Sequence, residues 1–116
     1  MARTVTQGEV WWARLDPAQG SEQAKTRPVL IVSVDQINRA PAGLSIVCPI
    51  TTTPRDAGVR IELPRDEGVR VGYVEPYQLR TISQERLVGL LGEATPDVRS
   101  DVAARIALFT RSAASE

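Results

Sequence analysis

Histidine is absent from the chain. That absence removes imidazole as a general acid or base, and with it every triad built on a histidine. Cysteine occurs once, at Cys48 within an apolar run, so no disulfide can form inside one chain and the thiol reads as a small core residue. Acids are scattered without ligand-like spacing, and Asp66-Glu67 reads as solvated turn, so metal-assisted hydrolysis is disfavoured and no metal or cofactor is expected. A phosphate-cradling glycine loop is missing too, because Gly20 stands alone. There is no signal peptide and no long apolar span, which predicts a soluble, cytoplasmic protein without a membrane partner. Neither sign of charge is in excess, with 14 cations against 14 anions, so the surface as a whole is no electrostatic glove for nucleic acid.

What is present begins with arginine. Thirteen of the fourteen cations are arginine and Lys25 alone is lysine. A guanidinium offers a planar fork that matches phosphate oxygens and stacks on flat rings. For most of those on the surface a GC-rich genome or a thermostable lineage is the preferred account. At 116 residues the length fits a single domain over 1–116 with a modest core.

Short β-favouring runs recur along the chain between turn signals. Gly8 to Leu15 reads as a strand with Val10 and Trp12 on one face and Trp11 on the other. Both tryptophans read as core or dimer contacts before base-stacking residues. Further strands are expected at Arg27–Val34, Gly43–Ile50, Val59–Leu63, Val69–Val74, Gln78–Ile82 and Leu87–Gly92. Asp35 to Arg39 reads as a helical turn capped by Asp35. Pro49, Pro54 and three threonines mark the third strand as one leaving the sheet at an edge. Thr95-Pro96-Asp97 opens a helix, with Thr as cap and proline at the first helical position. Its stripe of Val98, Val102, Ile106 and Phe109, widened by Leu108, predicts packing against the sheet, and Ser112–Glu116 is expected to fray. The expected fold is mainly β: a small, bent, partly closed antiparallel barrel over about 8–92, with a C-terminal helix over about 96–111. A doubly wound sheet is disfavoured by the lack of long helical segments between the strands.

Between the first two strands lies a long polar stretch, Asp16 to Thr26, which gathers Glu22, Lys25 and Arg27 against a rigid strand. Long ordered loops are commonly functional. By themselves Arg27, Thr51 and Glu22 also fit a solvated edge cation, a strand-end hydroxyl and a surface acid.

A wider pattern bears on the choice. Gly8-Glu-Val-Trp-Trp-Ala-Arg-Leu-Asp-Pro, Gly20-Ser-Glu-Gln, Arg27-Pro-Val-Leu-Ile-Val-Ser, Asn38-Arg, Val47-Cys-Pro-Ile-Thr51 and Gln78-Leu-Arg80-Thr81-Ile resemble the MazF/PemK family of toxin endoribonucleases, in order and with near-identical spacing from Gly8 to about Leu91. The resemblance implies an SH3-like barrel of the plasmid-toxin type acting as a homodimer. It implies metal-independent, ribosome-independent cleavage of single-stranded mRNA at a short sequence, and a MazE-like antitoxin whose acidic tail fills the RNA groove. Arg27 matches the catalytic arginine, Thr51 the catalytic threonine and Glu22 an acid beside them. Gln78 matches an RNA-binding position, and Gly20, Ser21, Lys25, Thr52, Tyr77 and Arg80 complete the expected RNA-binding set. The chain departs from the family at Tyr77, usually an acid, and at Gly72, often serine. Both flank the base-reading region, so no relative's recognition sequence carries over. Tyr77 fits a base-stacking role and a space-filling one equally.

In the chemistry so implied, the RNA 2′-hydroxyl attacks the adjacent phosphorus, leaving a 2′,3′-cyclic phosphate and a 5′-hydroxyl. Arg27 would stabilise the phosphorane with parallel N–H donors, and Thr51 would position an oxygen. Glu22 is the available base, although Lys25 and Arg27 favour its ionised form and so weaken it in that role. Two rivals share the barrel: a CcdB-like gyrase-binding toxin without nuclease activity, and a catalytically inactive barrel that binds RNA or antitoxin. The first relies on a Trp-Gly-Ile C-terminus, whereas this chain ends Ser-Ala-Ala-Ser-Glu. The intact Arg27 and Thr51 argue against the second.

Overall fold

The computed structural model describes residues 4–15, 26–52, 61–63 and 72–112. Within them the strands are β1 (Glu9–Arg14), β2 (Thr26–Ile31), β3 (Leu44–Thr51), β4 (Ile61–Leu63), β5 (Gly72–Val74), β6 (Arg80–Ser83) and β7 (Leu87–Glu93). The helices are α1 (Asp35–Asn38) and α2 (Pro96–Thr110), and 3₁₀ turns at Pro76–Gln78 and Gln84–Arg86 flank β6. Every pairing is antiparallel. The result is a curled, half-closed antiparallel barrel with a C-terminal helix, as the residue pattern predicts.

β3 organises the sheet. On one side it holds β2, then β1 and β7. On the other it pairs with β6 from Leu44 to Val47, then with β5 at Ile50 and Thr51. The prolines therefore do not mark an edge strand, which corrects the expectation. Pro49 falls where β3 passes from β6 to β5. Its carbonyl accepts from Glu75 N at 3.0 Å, so the amide hydrogen it lacks would have pointed to that same side, into the handover. A missing donor costs little there.

Alternation sorts the apolar side chains into two clusters. Val10, Leu30, Cys48, Ile50 and Val74 pack with Val98 and Val102 of α2. On the opposite face, Trp11, Ala13, Val29, Ile31, Val47, Ile82 and Leu87 pack where β6 and β7 join β1–β3. Trp12 points to the side of Val10 but is 40% exposed and opposes Gly89 of β7, outside either cluster. Trp11 is thus core and Trp12 is not. β7 keeps pace with β1 only through two register shifts, at Val10/Trp11 and Trp12/Ala13, which tighten the local twist. Cys48 is fully buried, and desolvation pushes its thiol up to about 12.

α2 begins as its sequence predicts, with Thr95 Oγ1 accepting from Val98 N at 3.3 Å and Pro96 in the first turn. Its stripe holds through Ile106, which packs half-buried against the cluster of Val10 and Val98, and then leaves the core, with Leu108 and Phe109 exposed. Gly8 ties the helix entry to the sheet. Its N–H donates to Ile31 O and its carbonyl accepts from Ala94 N, both at 2.8 Å. At φ +94 any other residue is strained there, and its Cβ would have to displace the Arg99 side chain.

Asp35 does not cap α1, because the cap position is Val34 and carries no side-chain bond. Asp35 instead reaches across to β1's approach, accepting from Gln7 N at 2.8 Å, and that bond is the main cause of its lowered pKa. Behind it, Asn38 accepts from Ser33 Oγ at 2.5 Å and Ser45 Oγ at 2.7 Å, and donates to Ser33 O at 3.0 Å. Gln84 Nε2 closes the network onto Asn38 O at 2.6 Å and Ser45 Oγ at 3.0 Å. Satisfied buried polar groups of this kind fix one arrangement and are expensive to break. Asn38→Ala takes the acceptor from the buried Ser45 hydroxyl and leaves that of Ser33 only the long bond to Ile46 O at 3.5 Å, and a loss of about 2–4 kcal/mol in urea unfolding is expected. A loss below about 0.5 kcal/mol, the ordinary range for surface changes, would contradict that account.

Candidate active site

Arg27 lies in β2 one residue from its start, exposed, with Ala13 as its Cα partner in β1. Thr51 is the last residue of β3 and is half-buried. The β2–β3 ladder runs through Ile31↔Val47, Leu30↔Cys48 and Val29↔Pro49. The ladder closes at Val29↔Pro49, two residues short of Arg27 and Thr51, and the same register carried on by two residues would bring them across from one another. Because side chains alternate, both then project on the face that carries Val29, Ile31 and Val47, opposite α2. Directly opposed residues hold their Cβ atoms about 4.5–5.5 Å apart, within reach of one phosphate.

A third side chain joins this row. Across the other edge of β3, Thr51 pairs with Tyr73 of β5, which is half-buried between the buried Gly72 and Val74. Guanidinium, hydroxyl and phenol thus follow one another over β2, β3 and β5 on a single face. Nothing in the sequence distinguished Tyr73 from an ordinary strand residue. Only the pairing of β5 with the end of β3 gives it a neighbour of chemical interest.

The remaining expected residues are placed elsewhere or not described. Thr52 follows Thr51 and is exposed. Arg80 opens β6, exposed, opposite Val47, about 13 Å along β3 from Thr51 at strand spacing. Tyr77 and Gln78 are exposed in the 3₁₀ turn before it, with Gln78 Nε2 at 3.3 Å from Tyr77 Oη. Tyr77 meets Phe109 of α2 edge to face, the ring centroids 6.5 Å apart and the planes at 84°. That contact accounts for the exposed end of the stripe, whose last apolar residue serves the turn rather than the core. Glu22, Gly20, Ser21 and Lys25 lie outside the described residues. Among the described residues no cluster of three or more acids or thiols could hold a metal ion.

Comparison with known proteins now bears on the row. Residues 6–110 match the family described as PemK-like, MazF-like toxin of type II toxin-antitoxin system. The chain belongs to this family. Its relatives include the endoribonuclease PemK of Escherichia coli, 37% identical over 107 residues that cover 88% of this chain and 79% of the relative. The endoribonuclease EndoA of Bacillus subtilis is 37% identical over 87 residues, 72% of this chain and 74% of that one. Among solved structures, a MazE–MazF complex from Deinococcus radiodurans superposes with a TM-score of 0.83 at 28% identity, over 96% of this chain and all of the matched one. The PemK-like, MazF-like match spans all the described strands and reaches the last residue of α2. Among the described residues no helix is long and apolar enough to cross a membrane.

Proposed function

We propose that this toxin is an endoribonuclease that cuts single-stranded mRNA in the cytoplasm, without a metal ion and without the ribosome. The reading is supported by the register of β2 on β3, which carried on by two residues brings Arg27 across from Thr51 on one face, in a family whose PemK and EndoA members are endoribonucleases. A phosphodiester laid over that face meets the guanidinium on one side and the hydroxyl beneath. The 2′-oxygen attacks phosphorus, and charge builds on the non-bridging oxygens of the phosphorane. Arg27 meets that charge with paired N–H donors, an interaction stronger in the transition state than in the ground state. Thr51 positions an oxygen of the same phosphate, and Glu22 takes the 2′-hydroxyl proton. Thr52, Gln78, Arg80 and Tyr77 bind the flanking nucleotides, with Gly20, Ser21 and Lys25 supplied by the stretch after β1. The toxin acts as a homodimer and is held in check by a MazE-like antitoxin, a reading supported by the MazE–MazF complexes among its structural relatives.

The test is incubation with a long unstructured RNA in excess EDTA, followed by mapping of the new ends. Cuts at a recurring short sequence that leave 5′-hydroxyl termini are expected, with the equivalent DNA untouched. Dependence on added Mg²⁺, or cleavage of the DNA, would overturn the mechanism.

A further inference from the structure

The row on the face opposite α2 holds a group that the proposed chemistry leaves unused, Tyr73 of β5, whose backbone partners are Thr51 of β3 on one side and Glu62 of β4 on the other. Tyr73 is the direct cross-strand neighbour of Thr51, on the far side of that residue from Arg27. Strands lie about 4.8 Å apart, so guanidinium and phenol rise two strand spacings from one another with the threonine between them. A phosphate centred over Thr51, with its non-bridging oxygens toward Arg27, has Tyr73 as its neighbour on the other side of Thr51.

The departing group is an alkoxide, which must gain a proton as the P–O bond breaks. Guanidinium releases one only above about pH 12, and an aliphatic hydroxyl is a still poorer acid, whereas a phenol in water ionises near pH 10. In a chain without histidine, tyrosine is the best-matched donor in the row. The backbone holds it there: Gly72 and Val74 on either side are buried, and Glu75 N is bonded to Pro49 O at 3.0 Å.

We propose that Tyr73 is the general acid that protonates the leaving 5′-oxygen, an assignment that rests on the nuclease reading above. In the step, the 2′-oxygen forms its bond to phosphorus and gives its proton to the base. The bond from phosphorus to the 5′-oxygen breaks, that oxygen keeps the electron pair, and the proton of the Tyr73 phenol passes to it. The phenolate is reprotonated from water, and no oxidant or second reactant is consumed.

The experiment compares Tyr73→Phe with the parent on two oligoribonucleotides built on a mapped cleavage site. One has the natural linkage and the other has sulfur in place of the 5′-bridging oxygen, so that the leaving thiolate needs no proton. Tyr73→Phe is expected to lower kcat on the natural substrate by roughly 10²–10³, leave KM within a few-fold, and cut the sulfur substrate at nearly the parental rate. Equal slowing on both substrates would make Tyr73 a structural or binding residue, and no slowing on either would remove it from the reaction. Should the variant not fold, the parent still decides: its kcat must fall at alkaline pH on the oxygen substrate and hold level on the sulfur one. A parent that cuts neither RNA would sink the nuclease reading itself, an outcome distinct from a parent that cuts and a variant that cuts as well.

Discussion

A single 2′-deoxynucleotide on the 5′ side of the scissile phosphate is expected to abolish cleavage, with no residual cutting at that position above roughly one part in 10⁴. The size of the effect follows from where the nucleophile comes from. In the mechanism proposed above the attacking oxygen belongs to the substrate, already covalently poised beside phosphorus, and such intramolecular groups act at effective concentrations far beyond any solvent water. Replacing it by hydrogen removes the reaction path and not merely a contact. The measurement is a gel assay of two otherwise identical oligonucleotides, with binding followed separately by fluorescence anisotropy. Similar affinity with no product is the expected pair of results. Cleavage of the deoxy-substituted strand at a comparable rate would require a nucleophile from the protein or from water.

Arg27→Ala is the second large effect. A loss of about 10²–10³ in kcat/KM is expected, comparable to the removal of one oxyanion donor elsewhere. Stability should hardly change, because Arg27 is exposed and exposed positions commonly move stability by less than about 0.5 kcal/mol. Arg27→Lys should recover only part of the rate. Lysine keeps the charge, but its ammonium cannot present two coplanar donors to two phosphate oxygens. Parental activity in the alanine variant, with the fold intact by circular dichroism, would end the role assigned to this guanidinium.

Much of the architecture was legible because it is written in local chemistry. The alternation of Val10, Trp11 and Ala13, the apolar run of β2 and the Thr95-Pro96-Asp97 opening of α2 all act through neighbours in sequence. Arg27 and Thr51 stood out through a family pattern, and only the register of β2 on β3, carried two residues past its last pair, brings them opposite each other. What escaped is what depends on distant partners. Asp35 looked like a helix cap and turned out to accept from Gln7, on the far side of β2. Pro49 looked like an edge signal, since the sequence does not reveal that β3 exchanges one neighbour for another at that residue. Phe109 fell on the helical stripe, yet its ring meets Tyr77, a contact invisible to periodicity. Tyr73 was silent for the same reason, as its interest lies wholly in what stands across the ladder.

The sealed position of Cys48 has a practical side. With its thiol buried and held protonated to about pH 12, the folded chain offers maleimide reagents no reactive sulfur. The protein is in effect a blank for site-directed labelling, with no background mutation needed. A cysteine introduced at the exposed Thr52, next to Thr51 and the proposed active site, would carry one fluorophore per chain and report the arrival and departure of RNA in real time.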